Sequence, residues 1–372
     1  MLKILNILGT RPEAIKMAPV IKNLEKHGNH VCSLVCVTGQ HREMLDQVLD
    51  IFKIRPDFDL NIMLPDQTLS QLTSNLFSGL DPVVKKTKPD YILAQGDTTS
   101  ALVAAFVSFY AKIPFCHVEA GLRTSNLDQP FPEEMNRRLV DNLSALLFAP
   151  TKRNRQVLLR EGFSDEKILV TGNTVIDALL EAAEMPYDWS AGPLAELEHE
   201  EQLVLVTAHR RESFGAHLKE ICYAVKDLAL KLERKGVHFV FPVHMNPNVR
   251  QLVEEILSGI SNISLINPTN YLSFVHLMKK SKLIMTDSGG IQEEAPSLGI
   301  PVLVMRDVTE RPEGVEAGIS KVVGTERARI FEEAMKLLLD PAIYTAMANI
   351  ANPYGDGKAA QRIVSFLLEY SQ

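Results

Sequence analysis

Two doubly wound, Rossmann-like α/β domains facing a cleft are the fold class that this chain of 372 residues predicts. Three observations predict it. The length exceeds what one hydrophobic core comfortably fills, so a division into two domains is natural. Short apolar strands alternate with amphipathic stretches through the first half, the pattern of βαβ units and a parallel sheet. That alternation breaks near Asn173–Ser190 and then begins again.

The first series opens on the apolar strand Lys3–Leu8, followed by helical spacing over Pro12–Lys26, with Pro12 suited to a first helical turn. Strands over Val31–Val37, Tyr91–Ala94, Pro114–Val118 and Ala145–Phe148 alternate with helices over Arg42–Phe52, Leu69–Lys85 and Thr99–Ala111. In those helices apolar residues recur every three or four positions. Met185–Pro193 and the acidic run behind it read as a loop. A second series follows, with strands over Gln202–Thr207, Val237–Val243, Ile263–Ile266, Lys282–Met285 and Pro301–Met305. The segment 356–372 begins with a capping Asp356 and continues with helical periodicity, so it is expected to cross back to the first domain. The expected divisions are 1–172, 173–355 and this C-terminal helix.

Composition narrows the function classes. With 46% hydrophobic and 23% charged residues the chain resembles an ordinary soluble enzyme. A net charge of −7 without any basic run argues against a nucleic-acid partner. The four cysteines form no CxxC pair, and Cys32 and Cys36 share one face of an apolar strand, so buried thiols in a reducing cytoplasm are expected. The first eight residues are too short for a signal core and no later run approaches a membrane span, so no membrane anchor is expected. The ten histidines lack HxxxH or HExxH spacing, which predicts no metal site. No GxGxxG follows the first strand, so no tightly held nicotinamide nucleotide is expected, and a P-loop is absent.

Binding groups of such folds belong at the carboxyl ends of the strands. The most informative stretch is Thr286–Ala295, where Ser288-Gly289-Gly290 sits between an apolar strand and a helix. Unpaired N–H groups and the helix dipole make that turn an anion site, and glycines admit a bulky anion. Glu293 and Glu294 follow, a carboxylate for sugar hydroxyls; diphosphate plus ribose points to a nucleotide-sugar. Arg11 and Lys16 bring two cations to the start of the first helix, and Arg311 is placed to meet the same anion as Ser288. Asp97 and Glu119 end neighbouring strands, and the two prolines of Pro130-Phe131-Pro132 present Glu133 at a helix start. Three carboxylates there suit acid and base work, while an ion-pair cluster with Arg123, Arg137 and Arg138 is the alternative. His209, between Ala208 and two arginines at a strand end, is a poor core residue and faces the expected cleft. His244, after the next strand, is placed to line a nucleotide pocket.

Gly9-Thr-Arg-Pro-Glu-Ala, Gln95-Gly-Asp-Thr-Thr, His117-Val-Glu-Ala-Gly-Leu-Arg, Pro132-Glu-Glu-Met-Asn-Arg, Ala208-His-Arg-Arg-Glu-Ser and Asp287-Ser-Gly-Gly-Ile-Gln-Glu-Glu stand in this order. Together they resemble the bacterial non-hydrolysing UDP-N-acetylglucosamine 2-epimerases, from the first strand to at least Pro312. The resemblance implies a GT-B-like domain pair, usually a homodimer, that interconverts UDP-GlcNAc and UDP-ManNAc without a cofactor, for cell-surface polysaccharide synthesis. It implies elimination of UDP to 2-acetamidoglucal followed by re-addition, with Asp97, Glu119, Glu133 and His209 as the catalytic set. It assigns Arg11, Lys16, Ser288, Gly289, Gly290 and Arg311 to the diphosphate, Glu294 to the ribose and Phe274 to the uracil. Some members are activated by a second UDP-GlcNAc, for which Gln40 and His244 are the candidates here. This chain has Glu43 where some activated members carry Gln, and Pro65 in place of a basic residue.

Rival readings are a GT-B glycosyltransferase, a hydrolysing relative, an epimerase of a modified UDP-sugar and an inactive nucleotide-sugar sensor. The clustered acids favour the epimerase over the first, the absence of room for a fused kinase disfavours the second, and the presence of every acid disfavours the last.

Overall fold

A computed structural model describes residues 1–39, 42–124, 126–190, 192–197, 202–208, 210 and 215–370. They form two compact units, Met1–Ala178 together with the segment from Gly355, and Leu179–Tyr354.

In the first unit seven strands make one sheet: β1 (Leu2–Leu8), β2 (Val31–Val37), β3 (Phe58–Asp59), β4 (Tyr91–Gln95), β5 (Phe115–Val118), β6 (Leu146–Ala149) and β7 (Ile168–Val170). The connecting helices are α1 (Arg11–Glu25), α2 (Arg42–Phe52), α3 (Leu69–Thr87), α4 (Thr99–Tyr110), α5 (Glu133–Leu143) and α6 (Lys152–Arg160). Helix α7 (Thr174–Glu184) begins in this unit and ends in the next. The second unit has β8 (Gln202–Thr207), β9 (Val237–Pro242), β10 (Ile263–Ile266), β11 (Ser281–Thr286), β12 (Val302–Val304) and β13 (Ser320–Val322). Its helices are α8 (Ala216–Leu232), α9 (Pro247–Leu257), α10 (Tyr271–Lys280), α11 (Gly289–Glu294), α12 (Pro312–Ala317), α13 (Arg327–Leu339) and α14 (Pro341–Ala348). The last helix, α15 (Ala359–Tyr370), belongs to the first unit.

Both sheets are parallel throughout, and the strands read as apolar runs because helices cover both faces. Ile4, Leu5, Ile7 and Leu8 of β1 are all essentially inaccessible, as are Leu203 to Val206 of β8. In the first core Leu5, Ile7, Ile92 and Phe115 meet Leu76 and Leu80 of α3 and Val103 of α4. In the second, Val204, Phe239 and Met285 meet Ile221, Val225 and Leu228 of α8 and Ile330 of α13.

Strand order fixes where chemistry belongs. It is β3-β2-β1-β4-β5-β6-β7 in one sheet and β10-β9-β8-β11-β12-β13 in the other. Each order reverses once, between β1 and β4 and between β8 and β11, and ligands of open α/β sheets sit at the strand ends beside such a reversal. The fold class expected from sequence therefore holds within each unit.

Three details differ from expectation. The short edge strands β3, β7 and β13 escaped notice because two or three residues carry no period. Helix α7 occupies much of the stretch where the rhythm broke, and the chain leaves it at Met185. Asp356 does not cap α15: its carboxylate pairs with Arg362 at 2.7 Å. The cap is Asp177 of α7, which accepts from the N–H groups of Ala359 at 3.2 Å and Ala360 at 2.9 Å.

Candidate active site

In the first unit, β1 ends in Gly9-Thr10 and turns straight into α1. Thr10 and Glu13 form a capping box, the reciprocal arrangement that satisfies orphan donors of a first turn. One carboxylate oxygen of Glu13 accepts from the N–H groups of Gly9 at 3.1 Å and Thr10 at 2.5 Å. The other accepts from the Thr98 hydroxyl, 2.7 Å away on the loop after β4. The two strand-end loops beside the β1/β4 reversal are thus tied together. Gly9 permits this approach, since a Cβ there would lie 2.5 Å from Ser100 Oγ.

Burial pushes the Glu13 carboxyl up to about 7, against the lowering effect of its hydrogen-bond donors. The folded state therefore keeps a proton that the unfolded chain has lost, and stability falls as pH rises from the usual carboxylate range towards 7. Glu13→Gln should remove that fall. Between pH 5 and pH 8 its unfolding free energy in urea should gain about 2–3 kcal/mol relative to the parent. A constant difference across this range would show that Glu13 ionises normally.

One turn along α1, the Lys16 ammonium lies 2.5 Å from Glu119 Oε1, while Arg11 is half-buried at the helix start. Glu119 follows β5 with φ of 74°, a left-handed backbone that costs a non-glycine residue on the order of 1–3 kcal/mol. Such strain persists where surroundings over-determine it. Gln95 donates to Glu119 Oε2, and Asn173 donates to Oε1 at 3.0 Å. Two amides and an ammonium surround this carboxylate, a donor set suited to its oxygens.

Asp97 lies beyond Gly96, whose φ is 81°. Arg137 pairs with the Asp97 carboxylate, and Asn136 donates to its carbonyl at 2.9 Å. Both partners come from α5, whose first residue is Glu133. Glu133 is half-buried and makes no side-chain hydrogen bond or ion pair among the described residues. The arginines expected as a rival ion-pair cluster largely find other partners. Arg123 meets Asp141 at 2.7 Å and Glu161 at 2.6 Å, and Arg138 meets Glu134 at 2.9 Å. Asp97 is the candidate acid that Arg137 holds.

In the second unit the loops after β8 and β11 are joined by Asp287, whose carboxylate accepts from the Arg210 N–H at 2.9 Å. Beneath them the hydroxyls of Thr207 and Thr286 meet at 2.6 Å. Ser288 stands at the N-cap of α11, with Gly289 and Gly290 as its first residues. Two guanidinium groups flank this turn. A Cβ on Gly289 would lie 3.4 Å from Arg210 Nη2 and 3.8 Å from Arg311 Cζ. The first turn of α11 beside two arginines suits a bulky polyanion. Each arginine is itself positioned: Arg311 pairs with buried Glu293, and Arg210 lies 3.2 Å from Glu310. Burial disfavours the Glu310 charge, but hydrogen bonding to Arg306 and the nearby Arg210 outweigh it and hold the group at about 2.

Glu294 is buried beside the turn; a Cβ on Gly290 would be 3.9 Å from its Oε2. Phe274 is half-buried on α10, and His244 is exposed beyond β9. Gln40 and His209 lie outside the described residues. Within each unit, then, the described candidates gather at one end of the sheet. Four participants were not singled out from sequence. Glu13 was legible through the Thr-x-x-Glu spacing of a capping box. Gln95 and Arg210 lay inside motifs noted for their neighbours, and Asn173 follows an edge strand too short to be seen.

Among the described residues no group of three His, Cys, Asp or Glu side chains is placed to hold a metal ion, and no helix is long and apolar enough to cross a membrane. The family model for UDP-N-acetylglucosamine 2-epimerase matches residues 22–368. The chain is 52% identical over 372 residues to the UDP-N-acetylglucosamine 2-epimerase of Escherichia coli K12, covering 98% of each chain. It is similar to the crystal structure of a UDP-GlcNAc 2-epimerase from Neisseria meningitidis bound to UDP-GlcNAc, with a TM-score of 0.87, 50% identity and coverage of 99% and 100%. It is also similar to a Methanocaldococcus jannaschii UDP-GlcNAc 2-epimerase in complex with UDP-GlcNAc and UDP, with a TM-score of 0.79, 35% identity and coverage of 99% and 100%.

Proposed function

The chain belongs to the UDP-N-acetylglucosamine 2-epimerase family, and we propose that it interconverts UDP-GlcNAc and UDP-ManNAc by eliminating and re-adding UDP without hydrolysis. The observation that carries the mechanism is the Glu119 carboxylate, held in a strained turn by Lys16, Gln95 and Asn173 one strand away from Asp97. That placement supports proton transfer by positioned carboxylates.

The C2 hydrogen of the sugar is weakly acidic, so its removal is coupled to departure of a good leaving group. One carboxylate takes the C2 proton; the C–H electrons form the C1–C2 double bond as the C1–O bond breaks. UDP leaves with that bonding pair, and 2-acetamidoglucal remains. A second acid delivers a proton to the opposite face of C2, and a phosphate oxygen re-adds at C1. Asp97, Glu119 and Glu133 divide the acid and base roles, and His209 completes the catalytic set. Negative charge grows on the diphosphate as the bond breaks. Arg210, Arg311 and the N–H groups at the start of α11 neutralise it, an effect worth several kcal/mol in such sites. Arg11 adds to this grip, Glu294 takes the ribose and Phe274 the base.

Positional isotope exchange tests the central step. UDP-GlcNAc carrying ¹⁸O in the bridge between C1 and phosphorus should scramble that label into non-bridging phosphate positions during turnover. Epimerisation with the label fixed in the bridge would rule out C1–O cleavage.

The product donor feeds assembly of cell-surface polysaccharide in this reading, and deleting the gene should remove ManNAc from that polymer. The reaction runs in the cytoplasm, in keeping with four free cysteines. The active form is a homodimer. An exposed aromatic face on α3 and α4 supports this, with Phe77, Phe106 and Tyr110 packed together and Phe109 and Tyr110 largely open to solvent. Sedimentation equilibrium should give twice the chain mass, and a monomeric active enzyme would refute the dimer.

A further inference from the structure

We infer that His117 and Asp141 form a buried hydrogen-bonded pair that positions the loops bearing Asp97 and Glu119 against α5, which bears Glu133. This rests on the acid and base roles given above. His117 lies in β5 and Asp141 in α5, and neither has any exposed surface. The two meet at 2.6 Å through Nδ1 and Oδ1, while His117 Nε2 lies 2.8 Å from the carbonyl of Gly96.

Acceptors face both ring nitrogens. A carbonyl only accepts, and so does an ionised carboxylate. Asp141 is such a carboxylate: burial opposes its charge, but His117 and Arg123 hold it below the usual range. His117 thus meets an acceptor at each ring nitrogen, the Asp141 carboxylate at Nδ1 and the Gly96 carbonyl at Nε2. On its far side Asp141 accepts from the Gly121 N–H at 3.2 Å and from Arg123 at 2.7 Å. Arg123 continues to Glu161 at 2.6 Å. A continuous run of polar contacts thus leads from β5 outwards.

The points this pair touches are what give it a role. Gly96 immediately precedes Asp97, and Gly121 stands two residues after Glu119. Both turns are left-handed, at φ of 81° for Gly96 and 74° for Glu119. Gly121 is fixed as well, because Asn154 donates to its carbonyl at 3.2 Å and a Cβ there would lie 2.6 Å from the Asn154 carbonyl. The same helix that supplies Asp141 sends Asn136 and Arg137 to Asp97. Its inward face is polar where an ordinary helix would be apolar: Glu134, Arg137 and Asp141 are all buried. Stability does not call for such a face, since well-packed apolar residues usually replace a buried ion pair without loss. Orientation does call for it, because acid and base groups displaced by about 1 Å lose on the order of 100-fold in rate. His117 and Asp141 are positioning residues in this sense and touch no substrate.

The test is His117→Gln, which keeps a donor at one end only. Turnover of UDP-GlcNAc should fall roughly 10–100-fold, while KM and UDP affinity by calorimetry stay near the parent values. Should that variant not fold, Asp141→Asn carries the same expectation. A folded variant with parent-like kcat would overturn the proposal. Parallel loss of kcat and UDP affinity would overturn it too, by showing a merely structural role. A parent enzyme without turnover on UDP-GlcNAc would instead overturn the functional reading beneath it.

Discussion

Glu119→Gln should lower kcat roughly 10²–10⁴-fold, the range expected when a positioned acid or base is lost. The amide keeps the shape of the side chain, so UDP affinity should change little. Lys16, Gln95 and Asn173 all donate towards the carboxylate, and one of these contacts turns unfavourable when an oxygen becomes an NH₂ group. Asp97→Asn and Glu133→Gln are expected to fall in the same range for the same reason. Steady-state kinetics decides the matter. If all three variants turn over like the parent, these carboxylates are not the acids and bases.

Arg311→Ala should weaken UDP binding itself, by roughly 10–100-fold, since a hydrogen bond to a charged group is worth about 1.5–3 kcal/mol. The expectation follows from where its guanidinium stands, beside the first residues of α11 and pinned by Glu293. Losing it also strands the buried Glu293 carboxylate, so some loss of stability should accompany the affinity change. Arg311→Lys keeps the charge but cannot reproduce the planar fork, and should recover stability better than affinity. Calorimetry with UDP reads the first effect and thermal unfolding the second. Unchanged UDP affinity in a folded Arg311→Ala protein would refute the diphosphate role.

Much of this was legible in the sequence, and what was not has physical causes. The inner strands announced themselves because parallel strands covered on both faces read as apolar runs, and Val31–Val37 and Gln202–Thr207 lie where the pattern put them. The helix over Arg42–Phe52 is likewise where three-to-four-residue spacing put it. Edge strands of two or three residues carry no such period. The cap of α15 was misassigned because Asp356 is adjacent in sequence, whereas Asp177 arrives through tertiary folding. In the site, residues inside strand-end motifs were found by chemistry and position. The carboxylate partners were not: Asn173 and Asp141 reach Glu119 and His117 across more than twenty residues of chain, and no local pattern signals that. Arg210 illustrates the middle case, since its motif stood out while its place beside Gly289 depends on two strands meeting.

Proton NMR of the purified protein with UDP-GlcNAc in D₂O, with no added nucleotide or metal, tests the proposed chemistry most directly. Removal of a C2 proton by one carboxylate and its return by another requires UDP-ManNAc that carries deuterium at C2, and with time UDP-GlcNAc labelled there as well. Product that retains its C2 hydrogen would contradict proton transfer through these acids, and the absence of any product would remove this substrate.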